Sequence, residues 1–327
     1  MPSLFDKRLL IFSGKGGAGK STVAAAAAVA AARRGKRVLI VEVGDREHIS
    51  SIFRSAPAGY DGRRVYQSPT GGALPIWSMC LTAREALREY ALRSMKFEAI
   101  YEAVFENRVM RYFAAAAPGL DEITIMGKME SLHREKMDPA KHPAFDLMIF
   151  DAPATGHGLA FFEVPRMAMN MLRMGPLHAM VERMWRLFTD PHRTALNIVT
   201  LPEEMSVTES IDLDAAAQKI GVPRGAVIVN GVYPDILAGG SLSDLHRIRE
   251  TSRLPGGPGG PGGIAGRVAR AVLDGAVTSV ARREAHDEMI AKLALALPQP
   301  RVVLPFVFGS SIGPAELEML AMHLEGL

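Results

Sequence analysis

Apolar residues along this chain fall in short, almost unbroken runs. Between the runs lie longer stretches where they recur at helical spacing, as expected of buried parallel strands joined by helices. Leu9-Leu10-Ile11-Phe12, Arg37 to Val43 (RVLIVEV), Pro75 to Leu81, Phe145 to Asp151 (FDLMIFD), Ala195 to Leu201, Ala226 to Val232 and Arg301 to Phe306 read as strands. Thr22 to Arg33, Glu203 to Ile220 and Val268 to Leu295 read most clearly as helices. The alternation predicts an α/β fold with a doubly wound, mostly parallel sheet. Thr82 to His133 and Pro165 to Asp190 break it, being long, helical and rich in methionine. They predict a helical subdomain, about 82–133 and 165–190, within a single domain over 1–327. Pro255 to Gly263 (PGGPGGPGG) can form neither helix nor strand and reads as a flexible loop. No internal repeat is present.

Composition narrows the setting. A chain of 327 residues that is 48% hydrophobic can bury a large core. Its longest apolar run, Val23 to Ala32, is too short to cross a bilayer, so no integral membrane segment is expected. Lys7-Arg8 leads into a strand rather than a signal peptide. A single cysteine, Cys80, allows no intrachain disulfide and points to a reducing, cytoplasmic setting. The net charge of +3, without a basic cluster, gives no reason to expect nucleic acid as a partner.

The chemistry begins at Ser13-Gly14-Lys15-Gly16-Gly17-Ala18-Gly19-Lys20-Ser21-Thr22, which fits G-x-x-x-x-G-K-[ST] between a strand and a helix. Glycines let successive backbone N–H groups curl around phosphate oxygens, and the helix N-terminus adds partial positive charge. In that pattern Lys20 takes the β- and γ-phosphates and the Ser21 hydroxyl takes Mg²⁺. The expected ligands are therefore ATP and Mg²⁺, on Gly14, Gly16, Gly17, Ala18, Gly19, Lys20, Ser21 and Thr22. Asp151 ends an apolar strand, where open α/β sheets place their ligands, and is the candidate second holder of Mg²⁺. It opens Asp151-Ala152-Pro153-Ala154-Thr155-Gly156-His157, and Gly156 supplies a hinge for a γ-phosphate-sensing loop.

Lys15, following the first glycine, is a second lysine in the loop. This deviant P-loop resembles the family of dimeric ATPases that includes the arsenite-pump ATPase, the tail-anchored-protein targeting ATPase, the ParA and MinD organisers and the nitrogenase iron protein. The resemblance implies a Lys15 that reaches a partner's nucleotide and neutralises charge developing in phosphoryl transfer. The Asp151 to His157 string is similar to the D-T-A-P-T-G-H switch of the arsenite-pump and targeting branch, and Phe161 to Pro165 also matches. Glu203-Glu204-Met205-Ser206 with Glu209 resembles that branch's segment after a strand. Val227 to Asn230 resembles its adenine-binding V-N motif, and an asparagine amide can donate and accept at once. Leu304-Pro305-Phe306, leading to Gly309, resembles the loop against the base. Asn230, Pro305 and Phe306 are accordingly expected at the base, and Lys15, Lys20 and Asp151 in catalysis. These matches run from about residue 8 to 310.

The departures matter too. Where the branch carries D-P-A-H-x-L-x-D, this chain reads Glu42-Val43-Gly44-Asp45-Arg46-Glu47-His48-Ile49-Ser50-Ser51. Ser51 stands at the acid that orients the attacking water, and a hydroxyl is a poor base. Asp45 or Glu47 are the local substitutes. Some bacterial members resemble this chain in their V-E-V string and pair as non-identical subunits. A heterodimer with a paralogous ATPase subunit is thus expected alongside a homodimer. One cysteine excludes the multi-thiolate arsenite site and a C-x-x-C zinc clasp, leaving Cys80 as a small buried residue. Met167, Met169, Met171, Met174, Met180 and Met184, with Phe97, Ile100, Tyr101, Val104 and Phe105, are either subdomain core, dimer interface or a groove for a hydrophobic protein client. The expectation is a nucleotide-switched dimeric ATPase. The alternatives are an ATP-binding regulatory or structural subunit with little hydrolysis of its own, or a ParA- or MinD-like spatial organiser.

Overall fold

The computed structural model describes residues 3–68, 71–94, 119–134, 145–153, 163–169, 176–237, 242–251, 264–309 and 311–327. Eight strands form one sheet: β1 (Leu9–Ser13), β2 (Val38–Val43), β3 (Arg63–Tyr66), β4 (Ile76–Leu81), β5 (Leu147–Asp151), β6 (Thr194–Thr200), β7 (Arg224–Val232) and β8 (Arg301–Pro305). Their order is β3-β4-β2-β5-β1-β6-β7-β8. Every pairing is parallel except β3 with β4, which is antiparallel. The doubly wound, mostly parallel sheet is thus present, and each strand read from the sequence is found within a residue or two. β3 has no counterpart among the strands expected from the sequence. Its four residues include two exposed arginines, so a short edge strand gives no apolar signal there.

The helices are α1 (Lys20–Arg33), α2 (Ile49–Ile52), α3 (Ala83–Ser94), α4 (Leu120–Arg134), α5 (Pro176–Thr189), α6 (Glu204–Ile220), α7 (Leu242–Thr251), α8 (Ile264–Ala296) and α9 (Pro314–Leu324). Strand side chains alternate between two layers. Leu10, Phe12, Val38, Ile40 and Ile149 pack against α1 and α9. The alanines of α1 are all buried there, and their small side chains let the helix lie close to the sheet between β1 and β2. Leu9, Ile11, Leu39, Val41 and Phe150 face the opposite layer of α4, α5 and the end of α6. A third cluster joins α6, β7 and α8 through Val207, Val227, Val229 and Leu293.

The second layer bears on the methionine-rich stretches. Met126 and Met129 of α4 meet Met180 and Met184 of α5 beneath the sheet, and all four are buried. Thioethers fill this irregular space between crossing helices as core. Met167 is 60% exposed. Met171, Met174, the set from Phe97 to Phe105 and the Pro255 to Gly263 loop lie outside the described residues. Because β5 lies between β2 and β1 and all three run parallel, their C-terminal ends come together, and the loop after β1 enters α1 at that edge.

Candidate nucleotide site

The loop from β1 to α1 is held in a shape that only glycine permits at two points. Gly14 (φ +150°) lies so close to β6 that a Cβ would strike the Val199 carbonyl oxygen. Gly19 (φ +84°) precedes α1 in left-handed conformation, and a Cβ there would strike the Asn230 amide nitrogen. Gly16 and Gly17 are exposed at the bend, and Ala18 is buried. Asn230, at the end of β7, donates from Nδ2 to the Ala18 carbonyl at 3.0 Å. It therefore fastens the loop from behind as well as standing beside the cavity described below.

Lys20 opens α1. Its Nζ donates to the Lys15 carbonyl at 3.2 Å, which folds the side chain back over the loop. Burial lowers its proton affinity, while the negative charge of Asp151 works the other way. Ser21 donates from Oγ to Asp151 Oδ2 at 2.5 Å, joining the first turn of α1 to the end of β5. Asp151 is 8% exposed, and its Oδ1 is buried with no partner among the described residues. Burial raises its pKa against the opposing effects of Ser21 and Lys20. A serine hydroxyl and a buried carboxylate with a free oxygen fit a Mg²⁺ ion that takes its remaining ligands from phosphate and water. Among the described residues no group of three or more His, Cys, Asp or Glu side chains is placed to hold a metal by itself. Thr155, Gly156 and His157 lie outside the described residues.

Lys15 pairs within its own chain, with Nζ 3.2 Å from Glu209 Oε1 on α6. Both side chains are about one-third exposed, so this is a surface pair of small worth that can be exchanged. From the sequence, Glu209 stood out only as a motif position. Ser51, on α2, is exposed and donates its hydroxyl to the Glu47 carbonyl at 3.2 Å. Glu47 accepts from the N–H groups of Ala58 and Gly59 and from Ser50 Oγ. Partial burial raises its pKa, but these bonds outweigh that and hold it below the ordinary value. Its carboxylate is committed to the loop fold through these three bonds. Asp45 is exposed.

Glu42 was not singled out from the sequence as chemistry. It is 3% exposed on β2 and pairs in register with Asp151 on β5. Its Oε2 accepts from the His48 N–H at 2.7 Å and the Ile49 N–H at 3.3 Å, anchoring α2. Burial pushes its pKa up to about 7, and the charge of Asp151 adds to the rise. On its other side, Glu42 pairs in register with Cys80 on β4. The thiol is buried, donates to the Gly44 carbonyl at 3.1 Å and is pushed up to about 12 by burial. It is a packing residue.

Beyond Thr22 a cavity of about 820 Å³ opens between β7, β8, α6 and α8, lined in part by Thr22, Pro202, Asn230, Tyr233, Pro305 and Phe306. Tyr233 and Phe306 stack with centroids 4.8 Å apart, and His286 and Phe308 meet Tyr233 edge-on. Arg282 lies over the Tyr233 ring at 5.3 Å and donates to its hydroxyl at 2.6 Å. An aromatic wall beside an asparagine amide suits a heterocyclic base. Tyr233, Arg282 and His286 left no sequence signal, since α8 approaches β7 only in the folded chain.

The family model for anion-transporting ATPases matches residues 7–188 and 174–249, which spans the P-loop, Asp151, Glu209 and Asn230. ATPase BagA of Mycobacterium tuberculosis (strain ATCC 25618 / H37Rv) is 30% identical over 233 residues, covering 69% of this chain and 66% of the relative. The arsenical pump-driving ATPase of Acidiphilium multivorum is 25% identical over 241 residues, covering 69% and 40% respectively. ATPase GET3B of Arabidopsis thaliana is 24% identical over 274 residues, covering 70% and 65%. This chain thus spans just under two thirds of the mycobacterial relative's length.

Proposed function

Because the chain belongs to the anion-transporting ATPase family, we propose that it binds Mg·ATP at the loop from Gly14 to Thr22 and works as a dimeric ATPase. The observation that carries this reading is the Ser21–Asp151 hydrogen bond, which joins a P-loop helix to a strand-end carboxylate with a free oxygen. Lys20 neutralises the β- and γ-phosphates, and the backbone N–H groups between Gly14 and Lys20 cradle them. Ser21 and Asp151 hold Mg²⁺, which lends its charge to the phosphates. Asn230, Pro305 and Phe306 receive the adenine. Closure of two subunits releases Lys15 from Glu209 and turns it to the facing nucleotide. Helices α3, α4 and α5 belong to a helical subdomain that carries the nucleotide state to a partner or hydrophobic client.

A second reading rests on the loop after β2. Ser51 faces its own backbone and Glu47 is committed to Ala58 and Gly59, which favours slow turnover at this chain's own site. Such a subunit serves a paralogous partner through Lys15. The two readings separate by ATP hydrolysis and mass in solution, for the chain alone and mixed with a paralogue. Turnover by the chain alone, as a homodimer, supports the first. Turnover only in the mixture, lost with Lys15→Ala, supports the second. No turnover and no change of mass with ATP in either would refute both.

A further inference from the structure

Glu42 sits where this chain departs from the pattern its P-loop shares with the family, and three observations bear on its use. First, Glu42 and Asp151 leave directly paired positions on adjacent parallel strands, so their side chains lie on the same face of the sheet, the one covered by α1. Second, both are more than nine-tenths buried, and each keeps one carboxylate oxygen buried with no partner among the described residues: Oε1 of Glu42 and Oδ1 of Asp151. Third, the other oxygen of each is fixed. Glu42 Oε2 is tied to the His48 and Ile49 N–H groups, and Asp151 Oδ2 to Ser21 Oγ. Neither carboxylate can turn its free oxygen away without breaking these bonds.

Two buried carboxylates side by side repel one another, and an unpaired buried oxygen is costly. A divalent cation at the P-loop removes both penalties at once. Mg²⁺ keeps several waters and is commonly held by one or two carboxylates together with nucleotide phosphates.

We infer that Glu42 is a second carboxylate of the cation site, positioning the hydrated Mg²⁺ of a bound Mg·nucleotide together with Asp151. The inference rests on the proposed P-loop reading and adds to it an acid from β2, on the strand that leads into the loop where Ser51 replaces the usual one. Glu42 also ties that cation to α2 through His48 and Ile49, so the ion's arrival is felt directly by the segment following β2.

The test uses the full chain and a fluorescent ADP analogue, titrated in Mn²⁺ and again in EDTA. The readout is the factor by which the metal tightens nucleotide binding. Loss of a group that orients a metal's ligands commonly costs about 10–100-fold in metal affinity, so Glu42→Gln should reduce the factor by about tenfold or more. Gln keeps the acceptor for His48 and Ile49 and nearly the same volume. Glu42→Asp keeps the charge and should recover part of the factor, which a mere packing residue would not do. An unchanged factor in Glu42→Gln, with the factor lost in Asp151→Asn, overturns the inference and leaves the P-loop reading standing. An unchanged factor in both overturns the inference and also removes the cation from the proposed site. Equal weakening in Mn²⁺ and EDTA leaves the factor unchanged and makes Glu42 an anchor for α2 only.

Discussion

Replacing Glu42 by Gln should make the nucleotide-free protein more stable at neutral pH and above, and leave it nearly unchanged in mild acid. The folded chain raises the pKa of this carboxyl from 4.5 to about 7, chiefly through burial. Between those values the native state holds a proton that the unfolded chain has released, so stability falls as pH rises through the window and is flat above it. Each tenfold change in proton affinity corresponds to about 1.4 kcal/mol, so ionised Glu42 costs the metal-free fold roughly 3 kcal/mol above pH 7. The group is 3% exposed, so solvent does little to screen this. Glutamine carries no charge and still accepts from His48 and Ile49. Urea unfolding in EDTA at about pH 5 and about pH 8 reads the effect. The gap between variant and wild type should be small at the lower pH and open by roughly 2–3 kcal/mol in favour of the variant at the higher. A gap that is the same at both, or that favours the wild type more strongly at the higher pH, would mean that burial does not hold the Glu42 proton in the folded chain.

Two further outcomes follow from the same geometry. Gly14→Ala forces a Cβ onto the Val199 carbonyl at φ +150°; we expect a loss of roughly 1–3 kcal/mol in thermal unfolding and the loss of nucleotide binding, since the loop must move to admit it. Asp146 is held down to about 2 by hydrogen bonds from the Arg37 guanidinium, which outweigh the effect of burial. Its contribution is present above its ordinary 3.8 and disappears as pH falls through about 2, so Asp146→Asn should lower the unfolding midpoint at pH 5 and not below pH 2.

Much of the fold was legible because buried parallel strands announce themselves. The runs around Leu10, Ile40, Ile149 and Ile228 are short, apolar on both faces and spaced by longer stretches, the pattern of strands buried between two helical layers. The P-loop was legible for a different reason. Its glycines answer to close backbone approaches, Gly14 to Val199 and Gly19 to Asn230, and such constraints leave a fixed spacing in the chain. Asp151 stood out by ending a strand. Glu42 did not, because a single acid inside V-L-I-V-E-V is read as part of the strand. What gives it meaning is β5, which the topology inserts between β2 and β1. The same holds for Lys15 with Glu209, and for Tyr233 with Arg282 and His286, whose partners come from distant helices. The methionines illustrate the opposite failure. Helical spacing cannot say whether a helix face is covered, and for Met180 and Met184 the cover is the sheet and α4.

Calorimetric titration of Mg·ATP into the full chain, with Lys20→Ala titrated alongside, probes the P-loop without an intermediate assay. Binding at a single site per chain, weakened severely when Lys20 is removed and when Mg²⁺ is replaced by EDTA, is the predicted result. No heat of binding, or binding that Lys20→Ala leaves intact, would place the nucleotide elsewhere or nowhere, and would contradict the reading of the loop from Gly14 to Thr22.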